Sequence, residues 1–393
     1  MLVRALTFSP DQADSFFQGI PSAAAVFMLR GEGEPYLSKT ANLRRRLQRL
    51  LGRPTEVARR LNLRDRVREI EFTLTGSEFE SQFLLYRLLR ESFPKTYSAR
   101  LRIRPAPLVK LHLENEYPRA SVTTRLSRLA ALSDAGDMYY GPFQSRAAAE
   151  KFTSDALDFF KMRRCVDDLH PDPKFPGCVY SEMKMCLAPC FKGCTDVDYY
   201  SEVARVQAFF DTGGESLERE LTEQRERASA QLAFEEAAAI HAKIDKLKPV
   251  LLQLPEIVRR IDWLRALIIQ PGAETGLVSL FLFQKCAMLG PIPFSIEARP
   301  ESQSMEGRVE QAIAGVPFPD KYSVAERSEH LALLKRWYYR SHRVGEIFFA
   351  DEKGAWPLRR IVRGIGRVYR GEKAQEAGSF SATSASSPTS EPA

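Results

Sequence analysis

The segment from Cys165 to Cys194 contains Gly177-Cys178, Cys186-Leu187-Ala188-Pro189-Cys190 and Cys194, and so holds five of the six cysteines in a chain of 393 residues. Only Cys286 stands apart. Residues Met1 to Pro10 lack the positive-then-apolar pattern of a secretory signal, so a reducing, cytoplasmic setting is expected. There, crowded thiols read as metal ligands before they read as disulfides. Thiolates are soft donors, suited to zinc or to an iron–sulfur cluster. The competing reading makes these cysteines small buried hydrophobes. Their turn-rich surroundings, with Gly177 and Pro189 adjacent to cysteines, argue against it.

Outward from this segment, the length implies two to four compact units. No apolar run approaches the roughly 18 residues that a membrane span needs, so no membrane partner is expected. The net charge of +7 favours acidic partners, nucleic acid first. Its distribution is more telling. Lys39, Arg44, Arg45, Arg46, Arg49, Arg53, Arg59, Arg60, Arg64, Arg66 and Arg68 face only Glu56, Asp65 and Glu69. The guanidinium fork suits phosphate oxygens. On a helix, Arg45, Arg49 and Arg53 share one face, while Leu43, Leu47, Leu50 and Leu51 form an apolar stripe. Arg44, Arg45, Arg49 and Arg53 are the candidate DNA contacts; an ordinary solvated helix face is the plainer alternative.

The pattern of elements is α+β. Ala23 to Met28 and the run around Tyr36 read as strands, with Asn42 capping the basic helix. Ile70 to Leu74 alternates as a strand, and Ser77 caps a helix from Glu78 to about Ser92. Leu108 to Leu113 and Ser121 to Leu126 read as a strand pair, and Ser145 caps a helix running towards Cys165. Ser216 to Lys248 reads as a helical hairpin broken near Leu232 to Phe234 and ended by Pro249. His241 within it reads as solvated. Ala266 to Gln270 and Gly276 to Gln284 suggest further strands, and Ala325 to Ser341 a helix. A second basic stretch, Arg359 to Arg370, precedes a Ser/Ala/Thr/Pro-rich tail read as disordered. The divisions drawn are 1–100, a cysteine-bearing middle region over 101–205, a hairpin over 206–255, a mixed α/β region over 256–371, and the tail 372–393.

Tyr139-Tyr140-Gly141-Pro142-Phe143, Arg163-Arg164-Cys165 and Cys186-Leu187-Ala188-Pro189-Cys190 resemble the middle region of the UvrC family, a component of the ABC excinuclease. The spacing of Cys165, Cys178, Cys186 and Cys190 is similar to that of the family's four [4Fe–4S] ligands. Zinc is the alternative metal, and Cys194 is a spare thiol. Leu232-Ala233-Phe234-Glu235-Glu236-Ala237-Ala238 resembles the family's UVR motif, which docks onto the damage-recognition protein UvrB. That resemblance implies Leu232, Phe234, Ala237, Ala238 and Ile244 as partner-facing positions. It also implies that residues 1–100 form a GIY-YIG nuclease domain, whose family members cut DNA on the 3′ side of a lesion.

The nuclease carry-over is mixed. Tyr36, Lys39 and Arg46 match family site residues. Phe27 stands where the family has tyrosine, Ser38 where it has glycine, Leu85 where it has the metal-binding glutamate, and Ser98 where it has asparagine. Leucine offers no ligand to a divalent ion such as Mg²⁺, and phenylalanine has no hydroxyl to relay a proton. Glu80 and Glu91 lie roughly 140° and 120° around the helix from Leu85, and Glu78 about 10 Å along it. The resemblance also calls for a second, ribonuclease-H-like nuclease after the hairpin. Glu301, Glu306, Glu310, Asp320, Glu326 and Glu329 show no spacing that makes a catalytic set, so that nuclease is expected to be absent or replaced. The expectation is a DNA-binding repair protein with an impaired nuclease site. The alternatives are an active Mg²⁺-dependent endonuclease and a non-enzymatic scaffold built on the hairpin.

Overall fold

A computed structural model of the chain describes residues 2–11, 14–53, 61–126, 136–166, 169–297, 303–316 and 322–372. Among the described residues the fold is mixed α/β, with three four-stranded sheets. Every strand pair among the described residues is antiparallel. Arg59, Arg60 and Glu56 of the basic run, Glu301, Asp320 and the tail beyond Glu372 lie outside the described residues.

The first sheet has the order β1 (Arg4–Thr7), β4 (Val67–Leu74), β2 (Ala25–Gly31), β3 (Tyr36–Thr40). Residues Ala25 to Leu29 of β2 are all buried, because helices cover both faces of the sheet. Helix α1 (Leu43–Leu51) lays Leu43, Leu47, Leu50 and Leu51 on the face formed by Ala25, Phe27 and Leu29. Helix α2 (Glu78–Ser92) lays Leu84 and Leu88 on Val26 on the other face. The predicted caps are present: Asn42 accepts from the Arg45 amide and Ser77 from the Glu80 amide, each satisfying an otherwise orphaned helix donor. A short helix α3 (Tyr97–Leu101) follows.

The second sheet has the order β6 (Ala120–Thr123), β5 (Leu108–Leu111), β7 (Met138–Gly141), β8 (Arg259–Arg260). Around it pack α4 (Arg146–Leu157), the four-residue α5 (Val179–Glu182), α6 (Asp196–Asp211), α7 (Glu215–Ala230) and α8 (Phe234–Leu251). Ser145 caps α4, which stops at Leu157 and does not run on to Cys165. The next backbone donors are claimed by α6 side chains: Lys161 N–H by Glu202 at 2.5 Å and Arg163 N–H by the Tyr199 hydroxyl at 3.1 Å. Helices α7 and α8 form the expected antiparallel pair. Pro249 does not end α8, which continues to Leu251. It sits in the last turn, where only one helical hydrogen bond is forfeited, and the adjacent Val250 is buried in the core.

The third sheet has the order β11 (Ala287–Ser295), β10 (Leu277–Gln284), β9 (Ala266–Pro271), β12 (Glu346–Phe349). Helices α9 (Met305–Ala314) and α11 (Leu358–Arg370) cover one face. Helix α10 (Val324–Tyr338) packs on the other with α2, where Phe79, Phe83, Tyr86 and Leu89 meet Phe281, Leu334 and Trp337. Thus α2 is clamped between the first and third sheets. Buried Cys286 lies in that shared core as an apolar side chain.

The same clamp buries Glu80, whose carboxylate accepts from the Gly76 amide at 2.9 Å and lies 3.4 Å from the Ser279 hydroxyl of β10. Burial pushes its carboxyl above the ordinary carboxylate range. The protonated form is therefore favoured in the folded protein. Stability from this group is full below its ordinary value and is lost as pH rises through the raised one. Glu80→Gln is expected to raise stability relative to the native chain at pH 7 but not at pH 4, measured by urea unfolding. An equal difference at both pH values would contradict this.

Candidate functional site

Strand β3 divides the retained nuclease-type residues between two faces. Its pairing sets Leu29 opposite Tyr36, Phe27 opposite Ser38 and Val26 opposite Lys39. Side chains alternate along a strand. Tyr36 therefore packs on the α1 side with Phe27, ring centroids 6.1 Å apart. Arg46, on α1, donates to the Tyr36 hydroxyl at 2.7 Å, and its Nε is buried without a partner among the described residues. Lys39 points to the α2 side, where its ammonium pairs with Glu78.

Two departures from the nuclease pattern, Phe27 and Leu85, are packing residues. Phe27 is fully buried in the core beneath α1. Leu85 is half-buried on α2, and packs with Leu37 against the cores on both sides of that helix. Ser98 is exposed on α3. A carboxylate at position 85 would face apolar neighbours. Glu78 is the carboxylate that reaches Lys39, and it also lies 3.9 Å from Arg340.

On α1, Arg45 and Arg49 are exposed, as is Arg53 just beyond the helix. Arg44 differs. Its guanidinium donates to the Ile20 carbonyl at 2.7 Å and the Gln18 carbonyl at 2.9 Å, tying the 3₁₀ helix Asp14–Gly19 to α1. Arg44 is thus a structural tie, and the outward basic face consists of Arg45, Arg49 and Arg53.

The cysteine loop is held by backbone bonds from Asp172 to the Cys190 carbonyl (2.9 Å) and from Leu187 to the Lys161 carbonyl (2.9 Å). Cys165, Cys178, Cys186 and Cys190 are all half-buried free thiols. Burial, with smaller contributions from Cys165, Cys190 and Cys178, pushes the Cys186 thiol up to about 11. Burial and the neighbouring Cys178 and Cys165 likewise raise Cys190. No group of three His, Cys, Asp or Glu side chains among the described residues closes to the spacing of a metal site. Two sulfurs already accept hydrogen bonds: Cys186 Sγ from the Ala188 amide at 3.2 Å, and Cys165 Sγ from the Arg163 guanidinium at 3.4 Å. Such donors stabilise thiolate ligands, so the donor set fits a soft metal centre in its chemistry. Cys194 instead packs at the edge of the middle core, immediately before α6.

At the hairpin tip, Leu232 and Phe234 are 72% and 65% exposed. Leu232 adopts a φ of +61°, a left-handed conformation that costs a branched side chain energy. Ala238 is exposed and Ala237 partly buried. Ile244 does not face outward: it is 5% exposed in the core between the helices and the second sheet. Heptad-like spacing cannot distinguish an inward from an outward apolar position in a hairpin.

Three carboxylates of the C-terminal region have structural partners. Glu326 caps α10 and pairs with Arg90. Glu329 accepts from the Tyr86 and Tyr97 hydroxyls, both at 2.8 Å. Glu346 takes a two-pronged contact from Arg367 at 2.6 and 2.7 Å. Arg163, 2% exposed, is a functional candidate that the sequence reading does not pick out; its place two residues before Cys165 is the available signal.

Residues 107–209 match the family described as UvrC/Cho excinuclease, middle domain. UvrABC system protein C of Rickettsia bellii (strain RML369-C) is 28% identical over 279 residues, covering 70% of this chain and 42% of that protein. The protein of the same name from Rickettsia canadensis (strain McKiel) is 27% identical over 278 residues, again 70% of this chain and 42% of the relative. The chain thus spans about two fifths of the length of these curated relatives. No solved structure matches it. The matched segment contains the cysteine loop, and the chain is thus similar to the UvrC/Cho middle-domain family over residues 107–209 and to proteins named UvrABC system protein C over about 70% of its length.

Proposed function

We propose that this chain is a DNA-binding protein of nucleotide excision repair whose GIY-YIG-type nuclease site is impaired. The observation that carries this reading is the apolar filling of the site: Phe27 is buried in the core beneath α1, Leu85 is half-buried against the cores on both sides of α2, and Tyr36 and Lys39 stand on opposite faces of β3. A phosphodiester cut needs a metal or donors aimed at the developing charge, and losing such a group costs about 3 kcal/mol or more of transition-state stabilisation. Phosphate binding needs less. Arg45, Arg49 and Arg53 are exposed, Lys39 remains on the edge strand β3, and Arg46 of α1 is bonded to Tyr36 of that strand. Affinity therefore outlasts the chemistry.

The hairpin of α7 and α8 supports a UVR-like docking role towards a UvrB-like partner. Leu232 and Phe234 are large apolar side chains held out at its tip, with Ala237 and Ala238 behind them. Cys165, Cys178, Cys186 and Cys190 would hold a [4Fe–4S] cluster, or zinc in its place, supplying a structural crosslink for the middle region. Arg163 would offset thiolate charge at Cys165.

The test is a lesion-bearing duplex offered with partner repair proteins and Mg²⁺ or Mn²⁺. We expect no incision, and duplex binding that weakens steeply as salt rises. We also expect Leu232→Asp to lose capture of the UvrB-like partner while keeping DNA affinity. Incision that disappears in Lys39→Ala/Arg46→Ala would establish an active endonuclease instead, and absence of DNA binding at physiological salt would leave only a scaffold. For the metal, Cys186→Ala is expected to bind less iron or zinc and to unfold at lower temperature. A variant equal to the native protein in metal content, absorbance and stability would remove the cluster from this reading.

A further inference from the structure

We propose that Glu78 is an internal competitor for DNA phosphate, occupying a seat built jointly by Lys39 of the first sheet and Arg340 of the C-terminal region. This rests on the DNA-binding reading and adds a second surface to it. One oxygen, Glu78 Oε1, contacts the Lys39 ammonium and lies 3.9 Å from Arg340 Nη1. Residues 301 apart in sequence therefore converge on a single acceptor. The seat is reachable from solvent: the Lys39, Glu78 and Arg340 side chains are 23%, 49% and 48% exposed.

The seat continues into a cleft between α2 and α10, lined by Glu78, Phe79, Gln82, Arg336, Trp337 and Arg340 among others. Arg336 is exposed and has no ion-pair partner among the described residues. Arg336 of α10 and Arg340, two residues beyond the end of that helix, both line the cleft. Two cations thus meet one carboxylate, and a third, Arg336, lines the cleft that continues from it. A backbone phosphate carries the same charge as Glu78, and its oxygens can take two guanidinium donors at once. Binding then swaps one anion for another and frees Glu78 to turn outward. Only the clamped position of α2 brings Arg340 beside Lys39, so the C-terminal region supplies part of the nucleic-acid surface.

The experiment measures binding of a short fluorescent duplex to the full chain across a salt series. The variants are Glu78→Gln, Arg336→Ala/Arg340→Ala and, as a reference, Arg45→Ala/Arg49→Ala, each checked by circular dichroism. Removing the carboxylate is expected to tighten binding about two- to fivefold at low salt, the scale of one exposed ion pair. Removing the two C-terminal arginines is expected to weaken binding and to flatten the salt dependence by roughly one phosphate contact each. The proposal is overturned if Glu78→Gln binds no tighter, or if the C-terminal double variant keeps native affinity and slope while the α1 double variant weakens. If the native chain binds no duplex at any salt, the DNA-binding reading itself fails.

Discussion

Helix α2 is buried on two sides, and the rest of the arrangement depends on that. A surface helix has one apolar stripe. In α2 the first sheet takes Leu84 and Leu88, and the third sheet with α10 takes Phe79, Phe83, Tyr86 and Leu89. Phe79 and Phe83 both meet Phe281 edge-on, with centroids 5.0 and 6.0 Å apart. The Tyr86 hydroxyl donates to Glu329, and His330 sits among Phe83, Tyr86 and Tyr322. The ring of His330 accepts from the Met288 amide at 3.1 Å, and burial pushes its pKa down to about 3. The imidazole is therefore a neutral packing element and not a base awaiting a substrate.

That clamp decides what the first sheet can do. A helix facing solvent could carry a carboxylate towards a metal and a scissile phosphate. A helix facing a second core has little room for one, because an unpaired buried charge is costly. Leu85 satisfies the packing demand instead. The single buried acid of α2, Glu80, is tied to the Gly76 amide and set against Ser279. Around Lys39, charge is balanced by Glu78. In the proposed function, what remains is a surface for phosphate, with cations contributed by the first sheet and the C-terminal region.

Local signals are legible in the sequence, and long-range ones are not. Asn42, Ser77 and Ser145 announce three helix starts because a capping side chain acts within three residues of itself. The helical hairpin is legible from its break at Leu232 to Phe234. Strand β11 escapes a sequence reading because Pro291 and Pro293 argue against a strand; the fold tolerates them since β11 lies at the sheet edge. Strand β12 and helix α9 escape it too. Arg44 reads as one of several equivalent arginines, yet its acceptors, Ile20 and Gln18, are 24 and 26 residues away. Ile244 reads as outward because the covering sheet comes from a distant segment. The second burial of α2 is invisible for the same reason: aromatic residues around a helix do not reveal which partner covers them. The four cysteines are visible as a group from spacing alone, but among the described residues no three of them close to the spacing of a metal site.

The most direct measurement is on Leu85→Glu, followed by chemical unfolding with and without Mg²⁺ and by cleavage of duplex DNA. If α2 is clamped, the variant loses about 1–3 kcal/mol of stability, gains nothing from Mg²⁺ and cuts no DNA. A variant as stable as the native chain, stabilised further by Mg²⁺ and able to cut, would show that the helix faces a working site and would contradict the account.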